Sequence, residues 1–235
     1  MPVGYSARRV YNRPVTITTI FFDLDDTLYP AKSGLWNAIK GRINLYMNER
    51  LGIPADRVSA LRREYFEQYG TTLLGLGANY PSMDVRGFLD FVHNVPLRDY
   101  IQPAPELRPV LEALPARKFI FTNGDANHVR RVLNALDLDG CFDGILDILD
   151  MWPHCKPMPA SFEMVFKLAG ETHPQHCAMI DDLPRNTRAA RQRGIFSILY
   201  GAPADVAPQR FAGDFPDADA VLTDWPALPA LLEGR

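Results

Sequence analysis

A run of β-branched and aromatic residues over positions 15–22 ends abruptly on carboxylates: Asp23-Leu24-Asp25-Asp26-Thr27 follows without a break. The run is too short for a helix and lacks polar alternation, so it predicts a strand buried on both faces. Comparable runs occupy 118–121, 144–148, 178–180 and 195–199, with a weaker one at 220–222. Helical periodicity falls between several of them, at 127–136, 160–168 and 185–193. This alternation predicts an α/β fold: a parallel sheet with helices on both faces.

Residues 33–103 break the pattern. Helical spacing appears at 35–51, 55–69 and 85–95, separated by Gly52-Ile53-Pro54 and by a Gly/Pro-bearing stretch at 75–81. Pro103-Ala104-Pro105 interrupts helix where the sheet pattern resumes, as a return linker would. The expected organisation is a core of residues 15–32 and 104–235 with a helical insertion, 33–103, after the first strand. Positions 201–219 read as a long loop, and positions 1–14 show no periodicity.

Composition narrows the function classes. Of 235 residues, 47% are hydrophobic, enough for a sizeable core, and a net charge of -3 argues against a nucleic-acid-binding surface. A small anionic ligand would need a local positive site. No run reaches the ~18 apolar residues of a membrane span. The odd cysteines Cys141, Cys155 and Cys177 argue against a disulfide framework, so a cytoplasmic enzyme without membrane attachment is expected.

Ligands of open α/β sheets bind beyond the carboxyl ends of the strands, so the polar residues there carry the information. Strand ends supply Asp23, Asp25 and Thr27, then Thr122-Asn123-Gly124, then Lys156-Pro157 in the loop after the third strand, then Asp181-Asp182. Converging carboxylates repel one another unless a cation separates them, and hard oxygen donors favour magnesium. Magnesium beside a lysine, a threonine hydroxyl, an asparagine amide and backbone N–H groups makes a phosphoryl receptor. A strand-end aspartate can attack phosphorus, the role expected of Asp23. Asp25, two residues on, is placed to protonate the leaving group and later to activate water. Alone, each piece is commonplace: Asp-x-Asp occurs in acidic turns and Thr-Asn-Gly is usually a turn.

Taken together, Asp23 to Thr27, Thr122-Asn123, Lys156-Pro157 and Asp181-Asp182 resemble the four motifs of the haloacid dehalogenase-like hydrolases. The resemblance implies a Rossmann-like core with a helical cap inserted after the first motif. It also implies magnesium on Asp23, the Asp25 main-chain carbonyl, Asp182 and Asp181, with Thr122, Asn123, Gly124 and Lys156 receiving phosphate. Finer features look like the pyrimidine 5'-nucleotidase-like branch: Leu28-Tyr29-Pro30, Phe121 to Gly124 with Asn127-His128, and Cys141 to Ile145. That branch hydrolyses nucleoside monophosphates, so a small-molecule phosphomonoester is the expected partner.

Alternatives share parts of this set. A dehalogenase needs the nucleophile and lysine but not Asp25 or the acidic pair; a sugar-phosphate phosphatase or a phosphomutase would use the same carboxylates. A receiver domain needs no helical insertion after its first strand, and a quiet interaction protein would not need every residue of turnover. His128 reads as packing or capping its helix, and His173, His176 and Cys177 as a loop entering the fourth strand. Trp36, Tyr80 and Phe88 are aromatic candidates for stacking on a base, although aromatics of such helices are more often core.

Overall fold

A computed structural model describes residues 16–201, 209–210 and 217–233. The first 14 residues and most of the expected loop after Gly201 lie outside them. Among the described residues seven strands form one sheet: β1 (Thr19–Phe22), β2 (Arg117–Phe121), β3 (Gly144–Leu146), β4 (Cys177–Asp181), β5 (Phe196–Tyr200), β6 (Gln209–Arg210) and β7 (Ala220–Leu222). Their order is β3-β2-β1-β4-β5-β7-β6. Every pairing is parallel except β6 with β7, a two-residue strand inside the stretch read as loop.

β1 lies in the middle of the sheet, which explains why its residues are all buried and uniformly apolar apart from Thr19. Phe21 packs against Phe119, Phe121 and Phe166 with ring centroids 6.3, 6.4 and 5.9 Å away. β3 is shorter than its apolar run. The Asp147 carboxylate accepts from the amides of Leu149 and Asp150, so Ile148 opens helix α7 (Ile148–Met151) instead of closing the strand.

The remaining helices numbered in chain order are α1 (Leu35–Glu49), α2 (Ala55–Tyr69), α3 (Thr72–Asn79), α4 (Val85–His93), α5 (Leu107–Ala113), α6 (Ala126–Ala135), α8 (Pro159–Ala169), α9 (Pro184–Arg191) and α10 (Leu228–Leu232). The first four lie between β1 and β2, with α1 against α4 and α2 against α3. Tyr46 of α1 meets Phe88 and Phe91 of α4 edge-on, at 5.0 and 5.4 Å. Most of the 75–81 stretch, expected as a separator, is helix α3. A Cβ on Gly75 would fall 2.3 Å from the Tyr65 side chain, and one on Gly77 2.6 Å from Trp152. The glycines cost ~1 kcal/mol each in helix propensity, and close packing offsets it. The proline-rich return hides α5, because Pro109 sits in its first turn, where no intrahelical N–H is required.

Candidate active site

Parallel pairing aligns Phe22, the last residue of β1, with Ile120 of β2 and Ile180 of β4. Asp23 therefore emerges level with Phe121, the residue before Thr122, on one flank and with Asp181 on the other, and its amide donates to Ile180 O at 2.9 Å. Asp23 is 7% exposed. Its Oδ1 accepts from Lys156 Nζ at 2.6 Å and its Oδ2 from Thr27 Oγ1 at 3.2 Å. The buried Lys156 also donates to Asp181 Oδ2 at 2.7 Å. Asp181 Oδ1 in turn accepts from the Leu183 amide and Asn186 Nδ2, both at 2.9 Å.

Two expected phosphate contacts have other partners. The Asn123 carboxamide brackets the Lys156 main chain: Oδ1 accepts from Lys156 N at 2.8 Å and Nδ2 donates to Lys156 O at 3.1 Å. The Gly124 amide donates to Thr122 Oγ1 at 3.0 Å. Asn123 thus positions the lysine and Gly124 the threonine hydroxyl. A Cβ at Gly124 would lie 3.4 Å from Thr122 Oγ1 and 3.5 Å from Asp25 Oδ2, ordinary van der Waals contact.

Asp23, Asp181 and Asp182 bring one carboxylate oxygen each within 4.8 Å of the others. Burial, only partly offset by Lys156 and reinforced by Asp181, pushes Asp23 up to about 7. Burial with Asp23 and Asp181 nearby pushes Asp182 up to about 9. Burial alone would lower Lys156, but Asp181 and Asp23 hold it above the usual lysine range. One ammonium does not compensate three clustered carboxylates. The hard, oxygen-only donor set fits a small divalent cation such as magnesium.

Asp25 is held differently. Its Oδ1 accepts from Tyr29 Oη at 2.6 Å and from His128 Nε2 at 2.8 Å. Burial raises its pKa, but His128 and Tyr29 outweigh this and leave it below the usual carboxylate range. His128 is buried in the first turn of α6, as a packing residue would be, and it also reaches Asp25. The two lie 103 positions apart, so no local pattern links them. A histidine opening a helix at the carboxyl edge of a parallel sheet was the available signal.

A cavity of about 520 Å³ opens over these groups. Asp23, Asp25, Asp182 and Lys156 line one side; Trp36, Arg62, Leu73 and Phe88, from α1 to α4, line the other. Tyr80 does not line it. Arg62 Nε is buried without a partner among the described residues. Arg185 donates to Phe66 O and Gly70 O, joining α9 to the end of α2. A second hollow of about 580 Å³, lined by Arg86, Arg130 and Asp147 among others, shares no residue with this one.

Phosphate metabolism protein 8 of Saccharomyces cerevisiae is 29% identical over 77% of this chain, which spans only 60% of the yeast protein. Glyceraldehyde 3-phosphate phosphatase of Pyrococcus furiosus is 28% identical, covering 92% of this chain and 93% of that protein. Among solved structures, YfnB of Bacillus subtilis bound to magnesium superposes with a TM-score of 0.60 at 17% identity (93% of this chain, 99% of that chain). A 2-haloacid dehalogenase of Pseudomonas syringae pv. Tomato DC3000 does so at 0.58 and 22% (92% and 98%). These two likenesses establish the shared fold. The haloacid dehalogenase-like hydrolase family model matches residues 17–194, and the chain belongs to that family.

Proposed function

We propose that the chain is a magnesium-dependent phosphomonoester hydrolase that works through an aspartyl-phosphate on Asp23 and takes pyrimidine nucleoside 5'-monophosphates. The observation that carries this reading is the pair of carboxylates. Asp23 is buried and bonded to Lys156, while Asp25, two residues away, lines the same cavity. A dehalogenase has no use for the second acid.

In the first step a carboxylate oxygen of Asp23 bonds to phosphorus as the ester P–O bond breaks; Asp25, a carboxylate at rest, takes the proton of the incoming phosphate monoanion and gives it to the departing alkoxide. Asp25, again a carboxylate, takes a proton from the water that attacks phosphorus; inorganic phosphate leaves and Asp23 is restored. Lys156 supplies positive charge, and the Thr122 hydroxyl a hydrogen bond, to the phosphoryl oxygens. Asp23, Asp181 and Asp182 would hold the magnesium ion, with the Asp25 carbonyl implied by family resemblance; when bound it supplies positive charge for the phosphoryl group.

Residues 33–103 act in this reading as a cap over a core of 15–32 and 104–235, excluding water from the cavity. The cavity volume lies within the range for small-ligand pockets. The Trp36 ring offers a stacking face and the unpartnered Arg62 Nε–H suits a base carbonyl. The three free, buried cysteines support a reducing, cytoplasmic setting. The likeness to the Pyrococcus glyceraldehyde 3-phosphate phosphatase favours a second reading, a small sugar-phosphate substrate. A panel of pyrimidine and purine nucleoside monophosphates and sugar phosphates, assayed for phosphate release with magnesium, decides. Preference for UMP and CMP supports the nucleotide reading, and preference for triose phosphates replaces it.

A further inference from the structure

Asp25 has one oxygen occupied and one open. Both of its donors, Tyr29 Oη and His128 Nε2, bind Oδ1, and among the described residues Oδ2 accepts no hydrogen bond. The proton that passes to the leaving group therefore belongs on Oδ2, and the rotation of the carboxyl is set from the Oδ1 side.

His128 itself lacks the usual means of fixing an imidazole. Its Nδ1 is buried with no hydrogen-bond partner among the described residues, so nothing grips the far side of the ring. The ring is held by its face instead. His93, the last residue of α4, stacks on it at 4.2 Å with the planes 11° apart. His93 Nδ1 lies 2.5 Å from Asp125 Oδ2. Asp125 Oδ1 accepts from the amides of Asn127 and His128, capping the helix that carries His128. Arg131 closes the arrangement, donating to His93 O and Val95 O at 2.7 Å each. The end of α4 is thus fastened to α6 across the junction between the insertion and the sheet.

Resting on the phosphatase reading above, we propose that His128 is a positioning residue for Asp25, and that His93, held by Asp125, positions His128. The inserted helices then do more than cover the cavity: His93 carries their docking to the group that transfers the proton. The consequence is selective. An alkoxide leaving group needs the Asp25 proton as its bond to phosphorus breaks, whereas p-nitrophenolate departs as the anion without one.

The test compares kcat/KM for a nucleoside monophosphate or other alkyl phosphate with that for p-nitrophenyl phosphate in the full chain with magnesium. Because kcat/KM extends only to the first irreversible step, later hydrolysis of the aspartyl-phosphate does not enter it. His128→Phe, which keeps a ring but loses the donor, should lower the alkyl value by about 100-fold, the lower range for general acid catalysis. The p-nitrophenyl value should fall at least ten times less, on that same general-acid argument. His128→Gln, which retains an Nε2 donor, should recover a large part of the loss. His93→Phe should show the same selectivity at about tenfold, and should add nothing in the His128→Phe background if the two act in series. If His128→Phe does not fold, His93→Phe makes the same comparison. Equal losses on both esters, or additive losses in the double variant, would overturn the positioning roles. A wild-type protein inactive on both esters would instead overturn the phosphatase reading on which they rest.

Discussion

Without a divalent cation, the Asp23–Asp181–Asp182 cluster should make this protein less stable as pH rises, and magnesium should remove that penalty. Burial pushes Asp23 up to about 7 in the folded chain, from an ordinary value of 3.8. Between those values the native state keeps a proton that the unfolded state has lost, so stability declines with increasing pH and the full penalty is present above 7. Three pH units at ~1.4 kcal/mol each give roughly 4 kcal/mol for Asp23. Asp182, pushed up to about 9, acts in the same direction and extends the window upward. For a chain of this length 1 kcal/mol moves Tm by about 2–4 °C, so the penalty corresponds to roughly 10 °C. The assay is thermal unfolding from pH 5 to 8, with EDTA or with magnesium, for wild type and Asp182→Asn. Wild type in EDTA should lose Tm relative to the variant as pH rises. The rise in Tm caused by magnesium should be larger at pH 8 than at pH 5 and much reduced in the variant. A magnesium effect independent of pH, or a wild type that gains on Asp182→Asn as pH rises, would refute the electrostatic account of the cluster.

Lys156→Met strips the paired ammonium from two buried carboxylates and should cost about 3–5 kcal/mol in denaturant unfolding at neutral pH; under 1 kcal/mol would mean that the ion pair is energetically idle. Gly75→Ala drives a methyl into the Tyr65 side chain and should lose about 1–3 kcal/mol in the same assay, with an unchanged stability contradicting the close α2–α3 packing. Asn123→Ala frees the Lys156 main chain and should lower turnover at least tenfold, the cost of misplacing a charge at a site built on orientation; unaltered kcat would show that the lysine needs no such support.

The strand pattern was legible because β1, β2 and β4 each carry a short apolar stretch that runs directly into polar residues of the candidate site. The run ending at Asp23 and the one ending at Asp181 both became strands at the expected places, side by side. Helix α3 was hidden because its glycines are explained by Tyr65 and Trp152, which approach only in the folded chain. Ile148 extended an apolar run past Leu146, and only the Asp147 cap decides where the strand stops. The site divides in the same way. Carboxylates and lysine stand out by residue type at strand ends. The links of Asn123 to Lys156, His128 to Asp25 and His93 to His128 join residues far apart in sequence, and spacing carries no trace of them.

The proposed reaction turns on covalent phosphorylation of Asp23. Mixing the protein with magnesium and a hydrolysed phosphomonoester, quenching in acid and reducing with borohydride converts an aspartyl-phosphate to homoserine, which peptide mass spectrometry locates. Homoserine should appear at position 23 in wild type, and neither homoserine nor turnover in Asp23→Asn. Turnover that leaves position 23 unmodified while another carboxylate is reduced, or that survives in Asp23→Asn, would contradict that reaction.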